Sequence, residues 1–302
     1  MTNQNETATS FLEKKGSLRA MFYNVDGYDR SHNNVYLTHG GPISIRLALQ
    51  TETVQAYSPD VIGFQEYVNV SHKSLTPMIS ALGYREVPYT LPEGDKVNDT
   101  PIFYKDGKLS LIESGYHLFS ESVEGVEVPC NNAFTKSFSW AIFEQKADGK
   151  KFIFISAHFM YTADKSAENR HKFDYARQAN AEELLAVLDG ICEKYPTLPV
   201  IVGGDLNCHF GSIPFKKLQS RLTWMQEADG VNADTCGYKG NAIYSLETQD
   251  YTFCPTPPET GYGIDHVFFD GNVTAINYIT LTNRASLLAS DHCPKLVDLI
   301  LN

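Results

Sequence analysis

Three short segments constrain this chain more than any other feature. Gly204-Asp205-Leu206-Asn207, Ile264-Asp265-His266 and Ser290-Asp291-His292-Cys293-Pro294 each set a carboxylate just after or within an apolar run that reads as a buried strand. Each also carries an amide or imidazole one or two places away. Charge is expensive inside a core and settles where a strand leaves it. Three such endings suggest strand ends converging on one place, with residue types that suit a divalent cation and a phosphate.

The rest of the chain alternates strands with helices. Apolar runs predict strands over 18–25, 61–64, 102–104, 109–119, 138–143, 151–157, 199–203, 263–269, 278–281 and 295–301. Helical spacing of apolar residues predicts helices over 43–57, 71–82 and 166–193. Ser58-Pro59 ends the first, because proline disfavours helical backbone in the residue before it, and Gly83 closes the second. Strands interleaved with helices, plus adjacent strands suited to antiparallel pairing, point to an α/β sandwich built on mixed sheets. No linker or internal repeat divides the chain, so one domain is expected over 17–302, behind a polar leader over 1–16 expected to be disordered.

Composition narrows the function. A hydrophobic share of 42% in 302 residues is ample for a packed core. No run of about 18 apolar residues exists, so no transmembrane helix is expected. The first sixteen residues lack the basic-then-apolar order of a secretory signal, which favours the cytoplasm, with secretion the alternative should a signal have been removed. A net charge of −11 disfavours bulk attraction to nucleic acid, since nonspecific binding rests on Lys and Arg set against phosphates. A cluster of acidic metal ligands would account for part of that excess. The six cysteines, Cys130, Cys192, Cys208, Cys236, Cys254 and Cys293, form no CxxC pair and no zinc-like spacing, and read as buried thiols of a reducing compartment.

Eight polar residues are candidates to meet at one end of the sandwich: Asn24, Glu66, His158, Asp205, Asn207, Asp265, Asp291 and His292. Magnesium prefers carboxylate and water oxygens, which selects Glu66 and Asp291 as ligands. Asp205 and His292 are candidates for the base that deprotonates water. Asn24, Asn207 and His158 can donate hydrogen bonds to phosphate, and Asp265 can orient His292. Each piece has a plain alternative: Gly-Asp-x-Asn is a common turn, Asp-His an exposed loop, Glu66 a strand-end charge and His158 a satisfied core histidine. Jointly the residue types complete a metal-plus-phosphate site.

In order and content, the series resembles that of the endonuclease/exonuclease/phosphatase superfamily. Its members are Gln65-Glu66 after Asp60-Val61-Ile62-Gly63, His158 after its strand, Gly204-Asp205-Leu206-Asn207, Ile264-Asp265-His266 and Ser290-Asp291-His292-Cys293-Pro294. The resemblance spans about residues 18–302. It implies a four-layer α/β sandwich of two mixed β-sheets flanked by helices, like deoxyribonuclease I, and metal-dependent phosphoester hydrolysis. It further implies magnesium, with manganese a substitute and one or two ions, on Glu66 with Asn24 and Asp291 completing or supporting the site. Asp205 would activate water helped by Asn207, His158 and His292 would contact the scissile phosphate, and Asp265 would pair with His292.

Substrate choice is expected to lie elsewhere. Pro101-Ile102-Phe103-Tyr104, Ser114-Gly115 and Lys136-Ser137-Phe138-Ser139-Trp140 resemble a bacterial branch of the superfamily, but that branch usually carries Arg where Lys136 stands, a fork exchanged for a point charge. The branch's Asn-Thr-His-Leu-Asp-His is here Ser156-Ala157-His158-Phe159-Met160-Tyr161, without the Asp and the second His. Lys136 and Arg177 are candidate substrate contacts, although Arg170, His171 and Arg177 also fit a solvated helix face. Phosphodiesters are favoured over phosphomonoesters as the anionic substrate. A DNA-repair type nuclease and a catalytically silent binding module on the same fold are the alternatives.

Overall fold

The structure, a computed structural model, describes residues 13–27, 36–38, 42–91, 97–132, 135–166, 168–233, 242–245, 250–253 and 263–302. In chain order its strands are Leu18–Asn24 (β1), Tyr36–Thr38 (β2), Val61–Gln65 (β3), Tyr84–Glu86 (β4), Ile102–Lys105 (β5), Leu109–Leu118 (β6), Ser137–Gln145 (β7) and Lys151–His158 (β8). There follow Val200–Asp205 (β9), Thr223–Trp224 (β10), Asn232–Ala233 (β11), Ala242–Ser245 (β12), Asp250–Phe253 (β13), Asp265–Asp270 (β14), Val273–Thr280 (β15) and Lys295–Leu301 (β16). The helices are Ile43–Tyr57 (α1), Asn69–Ala81 (α2), Lys172–Lys194 (α3), Ile213–Gln219 (α4) and Arg284–Ala289 (α5).

A seven-stranded sheet runs β11-β15-β16-β1-β3-β5-β4, a six-stranded sheet runs β10-β14-β9-β8-β7-β6, and β13-β12-β2 form a small third sheet. Both large sheets are mixed: β1 pairs parallel with β3 and β8 parallel with β9, while β16, β14 and β7 pair antiparallel with their neighbours.

The two-residue period of each strand builds the layers. Ala20, Phe22, Val61 and Ile102 of one sheet pack on Phe143, Phe152, Phe154 and Ile201 of the other. The alternate residues Met21, Tyr23, Ile62 and Phe64 face α1 and α2 through Leu47, Val54, Leu75 and Ile79. On the far side Ile153, Ile155 and Val202 face Leu184 and Leu188 of α3. The result is helix, sheet, sheet, helix: the expected four-layer sandwich.

Gly63 lets the two sheets approach near the site, and Gly204 lets β9 run close against its neighbour β8. A Cβ on Gly63 would lie 2.7 Å from the Cβ of Ser156 on the facing sheet. At Gly204, with φ +134, a Cβ would strike the carbonyl oxygen of Ala157 at 2.1 Å. In the space so left, Ser156 Oγ donates to Phe64 O at 3.0 Å and Gln65 Nε2 donates to Ser156 Oγ at 3.0 Å, tying sheet to sheet.

The structure departs from expectation at several places. The third helix starts at Lys172 rather than near 166, because Asp164 accepts from the Ser166 N–H and the Asn169 side chain and holds that stretch in turns. Strand β4 and the short helices α4 and α5 were not foreseen. Residues 13–16, expected within the disordered leader, are anchored: Lys14 pairs with Asp60 at 2.6 Å and the Lys15 N–H donates to Asp298 at 3.1 Å. Residues 1–12 lie outside the described residues, as do Cys236 and Cys254. Cys130, Cys192 and Cys208 are free thiols.

Candidate active site

Strand register assembles the site. Across β7, β8, β9 and β14, Ser137 aligns with His158, His158 with Asp205, and Asp205 with Asp265. Directly opposed residues share a face. Counting in twos from the core residues Phe154, Ile201 and Val267 turns that face toward the other sheet. On the other sheet, Asn24 continues the inward row of Ala20 and Phe22. The rows meet where Asn24 Nδ2 donates to Asp205 Oδ2 at 3.0 Å.

Asp205 is the hub, with a relative exposure of 2%. Its Oδ1 accepts from the Asn207 N–H at 3.0 Å. Near its Oδ2 lie two imidazole nitrogens, His158 Nε2 at 3.4 Å and His292 Nε2 at 3.8 Å. Each ring is backed by its own carboxylate: His158 Nδ1 is 2.6 Å from Asp99 Oδ2, and His292 Nδ1 is 2.9 Å from Asp265 Oδ2. Such backing fixes ring orientation and tautomer. Ser290 Oγ donates to Asn24 O at 2.7 Å and accepts from the His292 N–H at 3.1 Å, which locks the last motif onto the end of β1.

Burial would lower the pKa of His292, but Asp265, Asp205 and Asp291 outweigh it and push it up to about 10. The ring is therefore an imidazolium at neutral pH. Because its folded pKa exceeds the ordinary 6.5, its contribution to stability is complete below about 6.5 and is lost as pH rises through about 10. Without added divalent cation, Tm of the wild-type protein should fall more steeply between pH 7 and 10 than Tm of H292N. Parallel declines would contradict this charge state.

Two groups of ligand atoms converge to within 4.8 Å of one another: Glu66 with His158 and Asp205, and Asp205 with Asp265 and His292. Glu66 has φ 54 and Asn207 φ 48, left-handed backbone that costs about 1–3 kcal/mol at a non-glycine residue and gathers at functional sites. The pair of carboxylates from Glu66 and Asp205 suits a hard cation such as magnesium or manganese.

The expected site residues fare differently. Asn24 is engaged at both ends of its amide, donating to Asp205 and accepting from the Asp26 N–H at 3.0 Å, so it orients Asp205 rather than presenting itself to a metal. Asp291 belongs to neither converging group and approaches His292 Nε2 at 3.8 Å. Asn207 Nδ2 donates to Phe159 O at 3.1 Å. Arg177 requires a correction. It is only 4% exposed and spends its guanidinium on Met160 O, Thr162 Oγ1 and Asp174 Oδ1, at 3.2, 3.1 and 2.7 Å, so it straps the loop after β8 instead of facing a substrate. Lys136 does reach the site, with Nζ 2.6 Å from His158 Nε2. His266 is structural: it donates to Cys208 O at 2.8 Å, and burial drives its pKa down to about 3.

Asp99 was missed. Asn98-Asp99-Thr100 lies just before β5, and Asn98 anchors it by donating to Ser139 Oγ at 2.9 Å and accepting from the Thr100 N–H at 2.9 Å.

The Endonuclease/Exonuclease/phosphatase family profile matches residues 21–292. Among solved structures, an endonuclease/exonuclease/phosphatase from Bacteroides vulgatus is 20% identical with a TM-score of 0.71, over 95% of this chain and 100% of that one. A mannosyl-6-phosphatase from Bacteroides thetaiotaomicron is 22% identical with a TM-score of 0.70, over 94% and 99%. The D. rerio protein TDP2, complexed with a single-strand DNA product, is 17% identical with a TM-score of 0.60, over 93% and 98%. No curated protein sequence matches significantly. The extent of the profile match, on a sandwich whose strand ends and last loop bring Glu66, His158, Asp205, Asp265 and His292 together, shows that this chain belongs to the endonuclease/exonuclease/phosphatase family.

Proposed function

We propose that this protein is a divalent-metal-dependent phosphoester hydrolase in which Asp205 takes a proton from water attacking phosphorus in line. The observation that carries the reading is the hub itself: a buried carboxylate, oriented by Asn24 and the Asn207 backbone, flanked by two histidines that each lean on a separate aspartate. A carboxylate so held can accept a proton without rearranging, and the histidines set donors where phosphoryl oxygens gain charge. His292 is the stronger of the two donors, since its imidazolium adds charge to the hydrogen bond. Glu66 and Asp205 would hold magnesium or manganese, with His158 beside them, and the ion would supply charge neutralisation at the phosphoryl oxygens.

The relatives support this class, since one acts as a mannosyl-6-phosphatase and another holds a DNA product. The decisive assay offers purified protein, with magnesium, with manganese and metal-free, a panel of abasic-site duplex, sugar and lipid phosphodiesters, and phosphomonoesters. Metal-dependent turnover of at least one class is expected. Inactivity across the panel with both ions would overturn the reading.

A further inference from the structure

Among the described residues, Lys136 stands out as a buried charge with no carboxylate in direct contact. Its side chain is 6% exposed, and its amine meets only His158, at 2.6 Å from Nε2 and 3.2 Å from Nδ1, and the ring of Tyr161 with the centroid at 5.5 Å. Among the described residues it forms no ion pair, although Asp99 and Asp205 both approach the same histidine. A desolvated ammonium without a carboxylate is costly to the free protein, and an anion that enters beside it repays that cost. Among the described residues, the segments that carry Lys136 and Tyr161 are held in place. Lys136 directly precedes Ser137, which is paired to His158 in the sheet, and the loop carrying Tyr161 is tied down by Arg177 and by the Met160 N–H donating to Asn180 at 2.9 Å.

From this we infer that Lys136 makes the site selective for a terminal phosphate, that is, for phosphomonoesters over diesters. The inference rests on the proposed hydrolase reading and reverses the weighting toward diesters drawn from the motifs. A monoester presents three non-bridging oxygens carrying about two negative charges near neutral pH. A diester presents two such oxygens and one charge, with a second alkoxy group in place of the third oxygen. Lys136 Nζ extends the row of donors beside His158, where that third oxygen would complete its hydrogen bonds and balance its charge. An alkoxy oxygen there is a weak, neutral acceptor and leaves the ammonium unbalanced.

The test compares p-nitrophenyl phosphate with bis(p-nitrophenyl) phosphate, which share a leaving group, on wild-type protein, K136M and K136R with magnesium and with manganese. Wild-type protein should prefer the monoester. K136M should lose about 100-fold in kcat/KM on the monoester and less than about 5-fold on the diester, the size expected for one charge-assisted hydrogen bond, whereas K136R keeps the preference. Equal losses on both substrates, or a wild-type preference for the diester, would overturn the inference. Calorimetric titration with inorganic phosphate and with dimethyl phosphate reads the same discrimination without turnover. Phosphate should bind wild-type protein about 100-fold more tightly than K136M, with dimethyl phosphate indifferent to the change; equal phosphate affinity would overturn the inference. Phosphate selectivity in protein that hydrolyses nothing would instead strike at the hydrolase reading and leave the role of Lys136 standing.

Discussion

Asp205→Asn should lower kcat by about 10²- to 10⁴-fold, the range by which a positioned general base accelerates proton transfer. The substitution keeps the shape of the side chain and removes its charge and basicity. It also swaps one acceptor oxygen for an NH₂, so Asn24 Nδ2 and the Asn207 N–H, both of which now donate to Asp205, compete for a single oxygen. One donor is left unmatched, and a loss of about 1–2 kcal/mol of stability is expected beside the kinetic effect. At saturating magnesium, where loss of Asp205 as a metal ligand is compensated, KM should change little, since the proton transfer removed belongs to the transition state. Circular dichroism and Tm identify the variant as folded, and single-turnover kinetics isolate the chemical step. A folded D205N protein with near wild-type kcat would take the base role away from Asp205.

A chelator should abolish turnover, and Glu66→Gln should raise the magnesium concentration needed for half-maximal rate by about 10- to 100-fold. Glu66 is aimed by its backbone rather than by its side-chain neighbours. It leaves β3 with φ 54, and its carbonyl accepts from the Gly27 N–H at 3.1 Å and the Val68 N–H at 3.0 Å, which fixes the direction in which the carboxylate projects. Glutamine retains that direction and one oxygen but not the charge, so excess metal should restore most of the rate. An unchanged metal requirement in E66Q would move the principal ligand elsewhere, with Asp291 the residue to examine next.

Much of this architecture was legible from period and punctuation. The helix predicted over 43–57 is Ile43–Tyr57, because a helical repeat runs into Ser58-Pro59, and Ser58 turns left-handed at φ 50 to close it. Strands buried on both faces announce themselves as unbroken apolar runs, as in Phe152 to Ile155. The short elements β4, α4 and α5 carry too few residues for any period to emerge. Asp99 is hidden for a topological reason: β5 pairs antiparallel with β3, so the end it brings to the site is its beginning, and no apolar run leads up to Asp99. Lys136, before β7, and Asp265, at the start of β14, sit at such beginnings too. The Asn24–Asp205 contact was out of reach altogether, since it joins two sheets whose spacing depends on cross-sheet packing, such as the bare backbone of Gly63 against the side chain of Ser156.

The alignment of Ser137, His158, Asp205 and Asp265 also bears on how such a protein changes over time. Sliding any one of these strands by a single residue would reverse every side chain on it and bury the wrong set, so the spacing of the reacting groups is guarded by the same packing that keeps the protein folded. The segments beyond the strand ends carry no such double burden. Lys136 and Tyr161, each one to three places outside the row, can be replaced without disturbing a ladder hydrogen bond. Selectivity is thus free to drift while the chemical step stays under the protection of stability.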